Sequence, residues 1–318
     1  SYILKHEKNK FLRDKPESDW AFNPLLEETY DLQFDLYRDA IKATPHGKYL
    51  HVGGDEVHLT ERNGKSELEL NLIWLNRVSE FAKENNRIPI FWDDMPLKHA
   101  GLYRPMFNSE MSVEKVEEIW VENEKNLLKF IDKFPKNAIY MRWNYQKSET
   151  YGNQKVMEWY TNNDLKVMGA TAGQTRWTLM PQNQSNIPQI KSFALSSIEK
   201  NLDGLLLTLW DDDSPHFELY KRGITAFSNY TWSGKNKSIE EFKQMFRHRM
   251  YGKEFYDDKF GFIDKLEGPV GKWLNMLLKD NVRRAEIAKS SNPEELFIMD
   301  LPDAVSYTHL RAHETDRY

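Results

Sequence analysis

Apolar residues along the chain alternate between two patterns. Over residues 24–43, Leu25, Tyr30, Phe34, Leu36, Tyr37 and Ile41 fall near helical spacing, and residues 48–52 follow as a short apolar run. Residues 66–85 repeat the helical signature, with Leu68, Leu72, Leu75, Val78 and Phe81 on one side, and RIPIFW at 87–92 is the next run. The spacing predicts further helices over 113–134 (closed by Pro135), 154–162 and 185–200. Between and after them lie runs at 138–143 (AIYMRW), 165–169 (LKVMG) and 204–210 (GLLLTLW), and helices continue from about residue 215. Five helix–strand units in succession imply a parallel sheet, hence an α/β fold. The runs lack period-two alternation, which predicts strands covered on both faces. A (β/α)8 barrel of the TIM type and an open doubly wound sheet both fit. The Gly-rich dinucleotide fingerprint is missing, which counts against the second.

Active sites of (β/α)8 barrels lie at the C-terminal ends of the strands. Those ends read His51-Val52-Gly53-Gly54-Asp55-Glu56, Trp92-Asp93-Asp94, Arg142-Trp143-Asn144-Tyr145, residues 170–175, and Trp210-Asp211-Asp212-Asp213. Three end in Trp and three carry carboxylates. Indole faces with acids between them suit a pyranose, whose apolar faces stack while its hydroxyls bond to carboxylates. Taken singly, each Trp is better explained by packing, and Asp55 or Glu56 by capping of the next segment; three Trp at equivalent strand ends point instead to a sugar pocket. Gly53-Gly54 permits backbone conformations closed to other residues, so Asp55 and Glu56 can turn toward one pocket. Two carboxylates sharing a Trp-walled pocket are expected to have their pKa values driven apart.

Composition narrows the partners. Apolar residues make up 40% and charged residues 29%, a globular profile. A formal charge of −5, from 44 basic and 49 acidic residues, gives no electrostatic footprint for nucleic acid or an anionic membrane. Cysteine is absent, which excludes disulfides, thiolate metal sites and a Cys nucleophile, and no apolar run reaches the ~20 residues of a membrane span. Aromatic residues reach 13%, with ten Trp; beyond Trp92, Trp143 and Trp210, the rest are assigned to packing.

The H-x-G-G-D-E string at 51–56 resembles the signature of the family 20 glycoside hydrolases, the β-N-acetylhexosaminidases. Trp210-Asp211-Asp212 resembles the W-x-E of that family's last barrel strand, with Asp for Glu, and Trp92 and Trp143 resemble its pocket indoles. The resemblance covers roughly residues 24–232. It implies retaining, exo-acting removal of terminal β-linked N-acetylglucosamine or N-acetylgalactosamine, in which the substrate's own acetamido oxygen attacks C1 and forms an oxazolinium ion. By that resemblance Asp55 orients the acetamido group, Glu56 is acid and then base, and His51, Trp92, Trp143, Tyr145, Trp210 and Asp212 bind the sugar. It implies an oligosaccharide or glycoconjugate substrate, neither metal nor cofactor, and a periplasmic or secreted location.

Two departures qualify it. The family's seventh-strand Tyr and following Asp have no counterpart in residues 168–177, which leaves Tyr145, Gln174 and Thr175 as candidates to replace the Tyr. Arg142, Arg176 and the Asp212 exchange suit an anionic substituent such as a sulfated sugar. The family's H-x-G-G-D-E strand is also the fourth of eight, whereas here it begins near residue 48. The expectation is therefore an incomplete barrel, strands four to eight, over residues 1–232, and a helical extension over 233–304. Residues 305–318 contain VSYTHLRAHET, which resembles a translated sequencing adapter, so natural sequence is expected to end near Ala304. An open sheet edge invites aggregation, so the chain alone is expected to express poorly and turn over slowly. Two other readings stand beside this one. The first is a metal-dependent barrel hydrolase using His51, Asp55, Glu56, His58 and residues 211–213. The second is a non-catalytic sugar-binding protein, against which the retention of both acids argues.

Overall fold

The computed structural model describes residues 2–173, 183–210, 217–234 and 236–267. Among the described residues there are five strands: β1 Tyr49–Gly53, β2 Ile88–Trp92, β3 Ile139–Trp143, β4 Lys166–Ala172 and β5 Leu205–Thr208. Their order follows the chain, and β1–β2, β2–β3 and β3–β4 pair in parallel. This is the expected α/β fold, five strands of a (β/α)8 barrel with helices after them. Among the described residues, the α-helices of five or more residues are α1 Glu27–Ala43, α2 Glu67–Glu84, α3 Asp94–His99, α4 Tyr103–Phe107, α5 Val113–Leu128, α6 Tyr151–Asn162, α7 Asn183–Glu199, α8 Lys221–Ser233 and α9 Ile239–Tyr251. Among the described residues, none is long and apolar enough to cross a membrane.

Local chemistry sets several of these boundaries. Ser66 and Ser112 cap α2 and α5 by accepting from the Glu69 and Lys115 amides, and Ser238 with Glu241 forms a capping box on α9. The helix expected over 113–134 ends at Leu128 and resumes as a 3-10 turn over Ile131–Lys133. Two of these helices, α3 and α4, stand where no element was predicted; six and five residues are too few turns to show a period.

The chain divides into two compact units. The first comprises residues 1–170 with 200–204; the second comprises residues 171–199 and those from 205 onward. In the first, one sheet face packs Leu50, Val52, Phe91, Tyr140 and Val167 against Leu68, Leu72, Leu75 and Val78 of α2 and against Val156 and Tyr160 of α6. The other face gathers Ile90, Trp92, Ile139, Met141 and Ala170. That alternation is the pleat: successive side chains point to opposite faces. On β1 it reads exposed, buried, exposed, buried, so this strand, unlike β2 and β3, is covered on one face only. Its register against β2 slips between His51 and Gly53, leaving Val52 as an extra residue, a bulge just before the glycine pair. Beyond β4, the strand ladder continues through Asp203 N–H donating to the Val167 carbonyl and Gly169 N–H to that of Gly204.

The second unit has its own core, with Ile187, Ile190 and Ala194 of α7 against Ala226 and Tyr230 of α8 and Phe242 and Phe246 of α9. Asp264 pairs with Arg222 and Arg247, all three buried, so two helix cations share one acid. A charge removed from water needs such a partner.

Candidate active site

The end of β1 is built by backbone conformation. Gly53 and Gly54 have φ of +76° and +96°, and Glu56 follows at +52°. Gly54 is required twice over: its φ disfavours a side chain, and a Cβ there would meet the Trp74 ring at 3.1 Å. Glu56 is not glycine, so its left-handed backbone costs about 1 kcal/mol that its surroundings must offset. One offset is visible, since the Glu56 amide donates to Asp94 Oδ2 at 3.2 Å. The result is two adjacent acids, Asp55 and Glu56, both exposed at the strand end. His51 lies just before them, its Nδ1 accepting from the Gly53 amide at 3.1 Å, which places the ring proton on Nε2. The packing around this ring lowers its pKa, against the pull of the Asp55 carboxylate. The imidazole is therefore neutral near pH 7.

The burial expected for Asp55 and Glu56 falls on another acidic pair. Asp93 and Asp94, at the end of β2, are fully buried. Desolvation drives Asp93 up to about 7, with the Arg142 guanidinium at 3.2 Å opposing it and Asp94 adding to it. Burial also raises Asp94, while the Glu56 amide, the Trp143 side chain and the Arg142 charge pull it down. Arg142, considered above for an anionic substituent, is fully buried. Its guanidinium is consumed by Asp93, the Trp143 carbonyl and Met106 Sδ, so it does not face a substrate.

The remaining candidates are distributed as follows. Trp92 is 6% exposed, packed among Ile90, Ile139 and Met141, with its ring 4.8 Å from that of His51. Trp143 and Tyr145 are half-buried and tilted against one another, with ring centroids 5.1 Å apart, and Phe107 of α4 lies on Trp143 at 4.6 Å. Trp210 lies in the second unit and is 40% exposed, its carbonyl accepting from the Tyr220 hydroxyl. Asp212, Gln174, Thr175 and Arg176 fall outside the described residues, as does the 305–318 segment. Among the described residues, no group of three or more His, Asp or Glu comes together as a metal site; residues 211–213 of the metal-dependent reading fall outside them.

Sequence reasoning named Asp94 only as a strand-end carboxylate, with no role, and missed Tyr103. The Tyr103 hydroxyl is raised by burial and by the charges of Asp94 and Glu56, which places it in the same electrostatic neighbourhood. Both residues sit on helices too short to leave a periodic trace. Two tryptophans assigned to packing, Trp20 and Trp74, together with Tyr37 wall a cleft of about 290 Å³ that Asp55 and Gly54 border.

A family model, that of the glycosyl hydrolase family 20 catalytic domain, matches residues 4–210. The chain belongs to this family. Among solved structures it is similar to a glycoside hydrolase family 20 β-N-acetylglucosaminidase, at a TM-score of 0.44 and 17% identity over 70% of this chain and 42% of that one. It is also similar to a chitobiase from Flavobacterium johnsoniae (0.42, 12%, 84% of this chain and 35% of that one). A third is the family 20 β-N-acetylhexosaminidase from Streptomyces coelicolor A3(2) (0.36, 11%, 67% and 44%). The chain thus spans less than half the length of each of these three proteins. No curated protein sequence is matched.

Proposed function

We propose that the chain carries the acid–base centre of a retaining exo-β-N-acetylhexosaminidase, and that Asp55 and Glu56 perform substrate-assisted hydrolysis. The observation that carries this reading is the H-x-G-G-D-E turn itself. Two left-handed glycines end β1 and leave both acids exposed side by side, in a chain of a hexosaminidase family. In the first step the acetamido oxygen of the terminal sugar forms a bond to C1. The glycosidic C–O bond breaks, and Glu56 gives its proton to the departing oxygen. Asp55 accepts a hydrogen bond from the acetamido N–H and stabilises the charge that develops as the oxazolinium ring closes. In the second step Glu56, now a carboxylate, takes a proton from water as that water attacks C1 and reopens the ring, restoring the β configuration. Trp143 and Tyr145 supply stacking surface, and Trp92 supports it through its packed ring; the sequence resemblance alone assigns Trp210 and Asp212 to the sugar. Tyr145 is the described candidate to donate to the acetamido oxygen.

The test is hydrolysis of aryl β-N-acetylglucosaminide and β-N-acetylgalactosaminide by wild type and Glu56→Gln, together with inhibition by a thiazoline mimic of the oxazolinium ion. Loss of turnover in the variant and tight thiazoline binding by wild type support the reading. Equal turnover in the two proteins removes Glu56 as the acid. Turnover that thiazoline does not inhibit removes the acetamido-assisted step, and turnover abolished by a chelator favours the metal-dependent alternative.

A further inference from the structure

We propose that Asp94 is a positioning residue for this reaction, its buried carboxylate holding the Glu56 backbone in the conformation that presents the acid. The inference rests on the reading of Glu56 as that acid. Glu56 is one of five described residues other than glycine with positive φ; three of the others are Asn and the fourth is Asp. Asn and Asp adopt this conformation readily because their short polar side chains bond locally, whereas Glu has no such help. Its amide instead reaches 38 residues along the chain, to Asp94 Oδ2 at 3.2 Å. The contact joins the segments that follow two neighbouring parallel strands, β1 and β2.

Asp94 is suited to anchor rather than react. It has no exposed surface, so its rotamer is set by packing, and no substrate atom reaches it. It opens α3, whose Met95, Pro96 and Leu97 are buried with it, while the preceding Asp93 is tied to Arg142 on β3. The acceptor offered to Glu56 is thus fixed to two strand ends at once. A hydrogen bond in such a dry setting is stronger than one in water, and the burial that raises the Asp94 pKa reports the same setting. Removing the acceptor frees the Glu56 backbone to leave its left-handed well, which swings the carboxyl away from the glycosidic oxygen.

The test compares Asp94→Ala and Asp94→Asn with wild type, using N-acetylglucosaminides that differ only in the leaving group. A 4-methylumbelliferyl leaving group depends on proton donation more than a 2,4-dinitrophenyl one. Asp94→Ala should lower kcat for the first on the order of 100-fold, the scale of a misplaced catalytic group, and only a few fold for the second, with little change in KM. Asp94→Asn keeps an oxygen that can accept from the Glu56 amide, and should stay within a few fold of wild type on both. Hydrogen exchange at the Glu56 amide should accelerate in the Ala variant and not in the Asn variant. Equal losses on both substrates, or an unchanged Glu56 amide in the Ala variant, would overturn the proposal. Glu56→Gln run in parallel separates the two ideas. If it keeps wild-type turnover, the acid assignment fails, while amide exchange still decides whether Asp94 holds Glu56.

Discussion

The ends of β1 and β2 each carry a pair of adjacent acids, yet the two pairs have opposite fates. Asp55 and Glu56 stand exposed, because two glycines without side chains precede them and turn the backbone out of the strand. Asp93 and Asp94 are buried, because Trp92 packs inward and the chain passes directly into α3, whose apolar residues carry the acids into the interior with them. The difference teaches that adjacency of carboxylates does not place them in one environment. The residues on either side do. The exposed pair is open to solvent, while burial raises the pKa of both members of the other pair.

Four experiments bear on that contrast. The largest effect belongs to the exposed pair: Glu56→Gln should lower turnover by about 10²–10⁴-fold, the usual worth of a positioned acid–base group. Its thermal midpoint should stay near that of wild type, since the side chain is exposed. A variant that instead melts early while turning over normally would reverse the roles of the two pairs.

The next effect belongs to Asp93. Its carboxyl is raised from an ordinary 3.8 to about 7, so the folded state holds a proton that the unfolded state has already released. Stability is then greatest below about pH 4, falls as pH rises through the interval up to about 7, and levels off above it. A shift of this size corresponds to something on the order of 4 kcal/mol. Asp93→Asn should remove that slope. Urea unfolding of both proteins between pH 4.5 and 8 measures it, and parallel curves would show that Asp93 is not the group responsible.

A third, smaller effect concerns the turn that exposes the first pair. Gly54→Ala should cost about 1–3 kcal/mol, from left-handed strain and the collision with Trp74. Gly53→Ala should cost less, because only Asp55 lies near its added methyl, at 4.0 Å. Equal losses at the two positions would show that Trp74 yields. The smallest effect is a gain: Glu56→Gly should be more stable than Glu56→Ala by about 1 kcal/mol, because glycine adopts the left-handed conformation without strain. Both lack the acid, so calorimetric melting isolates the backbone.

Much of this was legible in the sequence. The long helices and all five strands lie within a few residues of the positions predicted from periodicity, since burial of one helix stripe or one apolar run leaves a trace several residues long. The glycine pair before Asp55 was legible too, because positive φ restricts residue type. Burial of Asp93 and Asp94 was not, since it depends on a six-residue helix with no periodic signal and on Arg142 arriving from the next strand. The role of Trp74 was hidden for a similar reason. Its ring sits on a helical apolar stripe and reads as packing, yet it reaches the glycine turn and donates through Nε1 to Gln33.

The extra residue at Val52 sets a rule of parity. Along an even ladder, residues two or four apart share a face, so His51 and Asp55 would be expected to point together by counting alone. The inserted residue and the turn after it break that count, and the orientation of both acids becomes a property of chain length between residues 51 and 56. A single-residue deletion or insertion in this interval would exchange the faces that the two acids address while leaving every residue type in place. Natural variation at this strand end should therefore take the form of substitution, with length held constant.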